Sequence, residues 1–490
     1  HNEVRVTHRH AQAHREMSVT VDNPQTESRD PLIFHRFVSR NTGPPLIIMP
    51  MKVIFSIWLT TALLLSGAAS GADANTDTKV VKSVKQQFKA LLSPLVTNQL
   101  IPGYYLAVYH NDRLVIELSD GLASEADRLL PSANTLYAIM SMTKPIVSLA
   151  ALKLVDQGKL KLTDPVKKFI PEFASLLVVE DGDLDNPAEE LKRDITIHDL
   201  LTHTSGLTYS EDITGQEEIA EVYADLKILP LDGLANTEIG GLKEHIAQLV
   251  QLPLVSQPGI KFIYSVGLDV LGRVLELVTM KSLDQVLKDE IFSPLGMHDT
   301  LFRVPADKIS RLSSMYEPRV ATYPIPGIYK RYQQYKVLAE NQKNFGLSDQ
   351  TYLSGGAGLI STANDYAKFL GLLNNDFRMG SDGLFITPGL GQKMFINQLP
   401  EALGDEGLTY NFGPTAKPEG FGYGLGIRVK PGGDIKDPLT YDYYHWAGAA
   451  NTGFWLDRNN SIYGVFMTQH IPTQYNQVPE LVKISRGLAP

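Results

Sequence analysis

The chain has 490 residues, enough for two structural units or for one large core with an inserted lobe, and 43% of them are hydrophobic. None is cysteine, which excludes disulfide scaffolds, Cys-based zinc sites, iron–sulfur clusters and thiol nucleophiles. The net charge of −9 argues against a nucleic-acid partner, because such binding needs Lys and Arg side chains to neutralise phosphates.

Residues 1–50 are polar, lack steady periodicity and contain five of the 12 histidines. Because they offer little apolar surface to bury, we expect a disordered leader that is not part of the working protein. A His-rich metal-binding tract is the alternative interpretation.

Residues 51–74 have the three-part pattern of a secretory signal peptide, with Met51-Lys52 as the basic start. An apolar run follows at Val53–Leu65, and small residues then lead to cleavage positions after Ala72 or Ala74. The run is too short to span a bilayer as a helix, and no cysteine follows it for lipid attachment. We therefore expect export to the periplasm or the cell exterior without a stable membrane anchor, and a mature domain over residues 75–490.

The mature region begins with a predicted helix and a predicted hairpin. Apolar residues in Thr76–Gln99 recur at the spacing of one helix face. Tyr104–Val108 and Leu114–Leu118 predict two antiparallel strands, because a loop containing Asn111-Asp112 separates them. The long region that follows is rich in helix patterns interrupted by proline and glycine. Its predicted helices include Pro145–Asp156, Ile197–Leu201 and Leu268–Thr279.

The C-terminal region returns to short segments rich in aromatic and β-branched residues. Predicted strands cover Gly422–Val429, Tyr441–Trp446, Thr452–Leu456 and Ile462–Thr468. Asp457-Arg458-Asn459-Asn460 is typical of a hairpin turn, and Gln477–Arg486 predicts a closing helix. Strands near both ends predict an α/β fold, in which a sheet from about 75–130 and 420–490 is interrupted by a mostly helical insertion.

Common hydrolase motifs are absent from the sequence. No serine lies in a Gly-x-Ser-x-Gly nucleophile elbow, and no His-Glu-x-x-His occurs. His198 and His203 are five residues apart and do not share one helix face, so we expect no metal site there.

Ser141-Met142-Thr143-Lys144 is the one Ser-x-x-Lys in the chain, and it opens the helix predicted through Pro145–Asp156. On a helix, residues three apart lie on one face, and the helix N-terminus adds partial positive charge beside the serine oxygen. A serine needs a neighbouring base, and a buried lysine whose pKa is lowered by ~3 units supplies one. The alternative is a helix cap followed by a solvent-facing lysine.

Two further segments favour the catalytic interpretation. Tyr264 lies in a turn just before a predicted helix, within Pro258–Gly267. The strand at His445-Trp446 ends in Ala447-Gly448-Ala449, whose small residues would let a substrate approach and let the Ala449 N–H reach an oxyanion. A packed aromatic and an ordinary Gly-containing turn are the structural alternatives.

Together, Ser141-Met142-Thr143-Lys144, Tyr264-Ser265-Val266 and Trp446-Ala447-Gly448 resemble the three motifs of the serine β-lactamase and penicillin-binding-protein superfamily. The chain is most similar to its class C-like branch, the family VIII carboxylesterases. Flanking segments agree with this resemblance, which runs from about residue 80 to the C-terminus. They are Leu200–Leu207, Pro294–Met297 and Ser354–Leu359.

The resemblance implies a β-lactamase/transpeptidase-like fold and assigns a role to each motif. Ser141 would be the acylated nucleophile, with Lys144 and Tyr264 sharing the proton transfers and either one acting as the base. The backbone N–H groups of Ser141 and Ala449 would form the oxyanion hole. Tyr209 would line the cleft. The resemblance implies no metal and no organic cofactor.

Two departures from the β-lactamase pattern concern the substrate. Val266 stands where that pattern has Asn, and Trp446-Ala447-Gly448 stands where it has Lys-Thr-Gly. A valine and an indole supply neither the hydrogen bond nor the charge that hold a β-lactam amide and carboxylate. We therefore expect Trp446, Gly448, Tyr209 and Val266 to contact an uncharged, partly apolar acyl ester.

These observations predict an exported serine carboxylesterase that hydrolyses short acyl esters, with a small-molecule ester as its partner. A β-lactamase or D-amino-acid peptidase on the same scaffold is the nearest alternative. A non-catalytic ligand-binding relative and an enzyme that transfers the acyl group to an alcohol are two others. The sequence leaves the oligomeric state open.

Overall fold

The computed structural model describes residues 73–209, 218–219, 222–223, 240–318, 335–337, 351–380, 383–400, 403, 420–471 and 477–489. The predicted leader at 1–50 lies outside these residues, as does the predicted signal peptide up to residue 72, so both stay predictions. Within the described part, no helix is both long enough and apolar enough to cross a membrane.

An antiparallel sheet of seven strands is the centre of the fold. The described strands are β1 Gly103–His110, β2 Arg113–Gly121, β3 Tyr137–Ala138, β4 Leu177–Val178, β5 Glu189–Glu190, β6 Tyr316–Pro318, β7 Tyr335–Val337, β8 Ile360–Ser361, β9 Arg378–Met379, β10 Gly383–Leu384, β11 Gly420–Phe421, β12 Gly426–Val429, β13 Tyr441–Ala447, β14 Gly453–Asp457 and β15 Ile462–Met467. The order of the strands in the sheet is β11-β12-β13-β14-β15-β1-β2. In this sheet β1 pairs with β15, and Tyr105 lies opposite Met467. Segments from opposite ends of the described part of the chain are therefore neighbours.

Helices cover both faces of the sheet and form most of the region between β2 and β11. The described α-helices are α1 Asp73–Thr97, α2 Thr143–Asp156, α3 Ile197–Leu201, α4 Leu242–Leu249, α5 Gly267–Thr279, α6 Leu283–Leu287, α7 Ser293–Leu295, α8 Ala363–Asn374, α9 Pro388–Gly391 and α10 Val478–Ser485. The described 3₁₀ turns are Met140–Met142, Val166–Lys168, Pro171–Ser175, Glu180–Gly182, Ala306–Arg311, Gln392–Met394, Pro438–Thr440 and Arg486–Leu488, and Lys288–Phe292 is a π-helical turn.

Successive residues of β1 point to opposite faces of the sheet and enter two separate cores, because side chains alternate along a strand. Tyr104 and Leu106 belong to the outer core, where α1 and α10 cover the sheet. Phe88 and Leu92 of α1 are fully buried there, one helical turn apart on one face. Each large apolar side chain buried in this way stabilises the fold by about 1.5–3 kcal/mol.

The opposite face of the sheet borders the inner core, which contains α2, α5 and α8. Every residue of α2 from Thr143 to Leu152 is buried. A helix that is largely apolar all round belongs in the interior of a protein, and Lys144 is the one charged residue in this buried stretch of α2. Burial of this one charged side chain indicates a candidate site at the N-terminus of α2.

The predicted α/β fold, an antiparallel sheet with a mostly helical region between its strands, is confirmed. Two local predictions need correction. Ser141 does not open the α-helix but lies in the 3₁₀ turn Met140–Met142, and α2 begins at Thr143. Of the strand predicted at Gly422–Val429, only Gly426–Val429 is a strand, β12, because residues 422–425 form the turn that joins it to β11 and Gly424 adopts a left-handed φ of 82° there.

Candidate active site

Ser141 lies at the connection between β3 and α2, next to a strained residue. Met140, directly before it, has a left-handed φ of 47°, which costs an L-residue about 1–2 kcal/mol. Such conformations persist where the surroundings hold them, and they cluster at functional sites. The Gln469 side-chain amide helps to hold this segment, because it pairs with both the N–H and the carbonyl of Ala138 at 3.0 Å.

Lys144 is the buried charged residue of α2, with none of its surface exposed. Its Nζ lies 3.4 Å from Ser141 Oγ and donates hydrogen bonds to Tyr209 Oη at 2.8 Å and to the Gly356 carbonyl at 2.9 Å. Burial lowers the pKa of Lys144 to about 7, although the carboxylate of Asp269 opposes that shift. A neutral amine has two N–H groups and one lone pair. With both N–H groups occupied by Tyr209 and Gly356, the lone pair is left for the Ser141 hydroxyl.

Asp269 is a buried acid that the sequence analysis missed. Its Oδ1 accepts hydrogen bonds from Tyr352 Oη at 2.8 Å, from Ser354 Oγ at 2.6 Å and from the Gly356 N–H at 3.2 Å. Burial raises the pKa of Asp269, whereas the Ser354 hydrogen bond and the charge of Lys144 lower it. These donors stabilise an anion that favours the protonated form of Lys144.

Gly356 leaves the space in which these groups approach one another. A Cβ at this position would lie 2.6 Å from Asp269 Oδ2, 3.1 Å from Tyr209 Oη and 3.4 Å from Lys144 Nζ. Real Cβ atoms do not approach a carboxylate oxygen so closely, so glycine is the residue that fits here.

Tyr264 lies in the turn before α5, and its ring packs against Lys144 and the surrounding aromatic side chains. Lys144 Nζ is 4.5 Å from the Tyr264 ring centroid, and the rings of Tyr209 and Trp446 are 5.3 Å and 5.7 Å away from it. Burial raises the pKa of Tyr264, with contacts from the Ser141 and Trp446 side chains opposing the shift. Tyr264 therefore keeps its proton at neutral pH, whereas the lowered pKa of Lys144 makes its neutral form accessible there.

The turn after β13 packs against the segment that precedes Ser141. The Gly448 N–H donates to the Thr452 carbonyl at 2.9 Å, and Thr452 Oγ1 donates to the Ile139 carbonyl at 3.4 Å. A Cβ on Gly448 would overlap both Thr452 Oγ1 and the Ile139 oxygen. Ala449 is half-buried in this turn, and its role in an oxyanion hole with Ser141 stays a prediction.

The residues expected to contact the substrate fall into two groups. Trp446 and Tyr209 form an aromatic wall with Tyr264, and the Trp446 ring also packs at 5.2 Å against Phe421. Val266 is fully buried, and its N–H donates to the Thr208 carbonyl, so its contact with a substrate stays a prediction.

The two histidines considered for metal binding have other partners. Nδ1 of His198 pairs with Tyr423 Oη at 2.8 Å, and Nδ1 of His203 pairs with Ser265. Among the residues that the structure describes, no three His, Asp or Glu side chains form a group that could hold a metal ion.

The residues that sequence reasoning missed had weak signals. Asp269 is a single acid between Leu268 and Val270 on an otherwise apolar helix face, and a lone buried charge of this kind indicates a functional site. Gly356 belongs to a segment quoted above only for its resemblance to the family. For Gln469 we find no local signal, because its partner Ala138 is distant in the chain.

Comparisons with known proteins show what this chain is similar to. The family model named Beta-lactamase matches residues 88–480. Esterase EstB of Burkholderia gladioli is 30% identical over 392 residues, which cover 77% of this chain and 88% of the esterase. An uncharacterized protein of Mycobacterium tuberculosis is 30% identical over 381 residues, covering 76% of this chain and 87% of its own length.

A solved structure agrees on the fold. It is described as EstCE1, a hydrolase with promiscuous acyltransferase activity, and it superposes with a TM-score of 0.63. The alignment covers 85% of this chain and all of that chain at 24% sequence identity, so it supports the fold alone.

Proposed function

Because the chain belongs to the beta-lactamase family and is a serine hydrolase, we propose that it is a carboxylesterase that cleaves short acyl esters through an acyl-enzyme on Ser141. The observation that carries this proposal is the fully buried Lys144, whose Nζ lies 3.4 Å from Ser141 Oγ. Esterase EstB, which aligns over most of this chain, supports an ester as the substrate class.

In the proposed reaction, Lys144 is the base and Tyr264 relays the proton. Ser141 Oγ attacks the ester carbonyl and its proton passes to the Lys144 lone pair, which gives a tetrahedral oxyanion. The Tyr264 hydroxyl protonates the leaving alkoxide and recovers its proton from Lys144, so an alcohol leaves and the acyl-enzyme remains. Water then attacks the acyl carbon by the reverse route and releases the carboxylic acid. This assignment rests on the low pKa of Lys144 and the raised pKa of Tyr264.

The walls of the site favour an uncharged substrate. Trp446 and Val266 occupy the positions at which the β-lactamase pattern has a cationic and an amide side chain. The indole packs against Tyr264 and Phe421, so this wall offers apolar surface where a β-lactam carboxylate would need a cation. An acyl group of a few carbons gains free energy from such a surface, by about 0.8 kcal/mol for each buried CH₂.

Initial rates on p-nitrophenyl butyrate and nitrocefin, measured side by side with the full chain, test the proposal. We expect fast ester cleavage, little nitrocefin turnover and a loss of ester cleavage by at least about 10⁴-fold in Ser141→Ala. Ser175→Ala is the matched control, because Ser175 is exposed and bonds only the Glu172 carbonyl nearby. Ester cleavage that survives in Ser141→Ala would refute the mechanism.

Three alternatives predict different results, each with its own measurement. Nitrocefin or D-Ala-D-Ala peptide turnover at rates near those for esters would identify a β-lactamase or D-amino-acid peptidase. Butyrate ester formed from an added alcohol, in place of free butyrate, would identify an acyltransferase. A fluorophosphonate probe that fails to label Ser141 in folded protein would identify a non-catalytic ligand-binding protein.

Export is a second proposal, and it rests on the signal-peptide pattern at residues 51–74. Expression of the chain from Met51 in a bacterial host, followed by N-terminal sequencing of the protein from the periplasm and medium, tests it. We expect a mature N-terminus at Asp73 or Asn75, whereas an unprocessed protein confined to the cytoplasm would contradict the proposal.

A further inference from the structure

His203 follows α3 and adopts an unusual backbone conformation. Its φ of 56° is left-handed, a region that histidine enters more readily than most residues do. Its side chain is completely buried, although the residue lies in a loop. The contacts of this buried imidazole account for its position.

Those contacts surround Tyr264. The Ile263 N–H, directly before Tyr264, donates to the His203 carbonyl at 2.8 Å. The Ser265 N–H, directly after Tyr264, donates to His203 Nδ1 at 3.2 Å. The imidazole ring itself packs against the Tyr264 ring, with 4.7 Å between the centroids. One residue therefore holds the backbone on both sides of Tyr264 and contacts its ring as well.

The left-handed conformation makes this arrangement possible, because the carbonyl and the side chain of His203 both reach the same segment. Since Nδ1 accepts a hydrogen bond from an amide, the proton of the neutral ring is on Nε2. Burial and the nearby charge of Lys144 keep the pKa of His203 well below its usual value, so the ring is neutral at neutral pH. Its chemistry is that of a fixed acceptor.

We propose that His203 is a positioning residue for the esterase reaction: its carbonyl and Nδ1 hold the Ile263–Ser265 backbone so that the Tyr264 hydroxyl faces Ser141. This inference rests on the proposed function, because it gives His203 its effect through the proton relay of Tyr264. His203 does not itself touch the reacting atoms.

The test compares two variants of the full chain. His203→Phe keeps a ring but has no acceptor, and a misplaced Tyr264 should lower kcat for p-nitrophenyl butyrate by about 100-fold with KM within about 3-fold. His203→Asn tolerates a left-handed φ, and its Oδ1 accepts the Ser265 N–H, so it should keep kcat within about 5-fold. His198→Phe is the matched control, because it makes the same His-to-Phe change at the second residue of α3, where the imidazole bonds Tyr423 instead.

A double-variant cycle separates positioning from a general structural role. In a Tyr264→Phe background, His203→Phe should lower kcat by less than about 2-fold, because the group through which it acts is already lost. Wild-type activity in His203→Phe, or a further loss of about 100-fold in the Tyr264→Phe background, would overturn the inference. Absence of ester cleavage in the wild type would refute the proposed function instead.

A measurement on the wild-type protein decides the matter if His203→Phe does not fold. Imidazole ¹⁵N NMR, assigned by difference from His203→Asn, should find His203 as the Nε2–H tautomer and unchanged between pH 5.5 and 8.5. An Nδ1–H tautomer would overturn the inference, because Nδ1 would then be unable to accept the Ser265 amide.

Discussion

The inner and outer cores lie on opposite faces of one sheet, yet they are built differently. The outer core packs Phe88 and Leu92 of α1 against aliphatic and aromatic side chains of the sheet and α10. The inner core encloses Lys144, Asp269 and His203, each with no more than 1% of its surface exposed. Burial of apolar surface stabilises both cores, whereas burial of these ionisable groups in the inner core costs free energy and lowers the pKa of Lys144. The sheet therefore divides the ionisable groups of the site, on its inner face, from the apolar packing of α1 and α10 on its outer face.

Substitution of Lys144 by Met should produce the largest effect and test this division directly. We expect kcat/KM for p-nitrophenyl butyrate to fall by about 10³–10⁴-fold, because the base is lost. The free energy of unfolding at pH 7 should nevertheless rise by about 1–3 kcal/mol, because a buried amine is replaced by an apolar chain of similar length.

The pH dependence of that gain follows from the shift in the pKa of Lys144. In the unfolded chain the amine has its ordinary pKa of 10.5, and in the folded protein the pKa is about 7, so the unfolded state binds more protons between these values. Wild-type stability therefore rises with pH from 7 to 10.5, and the advantage of Met should shrink over that range. Urea unfolding at pH 7 and pH 9.5 measures both values, and a destabilised Lys144→Met would contradict the comparison.

Phe88→Ala is the counterpart in the outer core. Because Phe88 is fully buried among apolar neighbours, its truncation should lower the free energy of unfolding by about 3–5 kcal/mol. At a temperature at which the variant is folded, kcat/KM should stay within about 2-fold of the wild type. A large change in kcat/KM in folded Phe88→Ala would show that the two cores are coupled.

Asp269→Asn should have the smallest of these effects, a shift in the pH dependence of ester cleavage. Ester cleavage in the wild type should increase through pH 7 as Lys144 loses its proton. Asparagine keeps an acceptor for Tyr352, Ser354 and Gly356 but removes the charge that raises the pKa of Lys144, so this limb should move to lower pH by about one unit. Measurement of kcat/KM from pH 5 to 9 in both proteins tests this, and an unmoved limb would show that Asp269 is already neutral.

Sequence reasoning succeeded in the outer core and only partly in the inner core. The i, i+4 spacing of Phe88 and Leu92 is local, so the helix of residues 73–97 and its buried face could be predicted from periodicity. Ser141 and Lys144 are three residues apart, and their proximity could be predicted in the same way. The motifs also placed Tyr264 beside them through the family resemblance.

The remaining contacts of the site join segments that are distant in the chain. Asp269 bonds Ser354 and Gly356, and Gln469 bonds Ala138, only because the tertiary fold brings these residues together. No periodicity or spacing in the sequence predicts such long-range hydrogen bonds. The prediction of one strand over Gly422–Val429 failed for a local reason. Its first half is a turn, and Gly424, which is left-handed there, looks in the sequence like any other glycine in a short strand pattern.

The pairing of β1 with β15 has a consequence for the synthesis of the protein. Ribosomes add about 5–20 residues per second, so Ser141 and Lys144 are made well before β15. Until β15 arrives, β2 is the one neighbour in the sheet that β1 has available, and a two-stranded ribbon is only marginally stable in water. The turn at Gly448, which packs against the Ile139 carbonyl, is also still missing. A nascent chain therefore carries its serine and lysine without the sheet that positions them, and the enzyme becomes active only once its final strands have been translated.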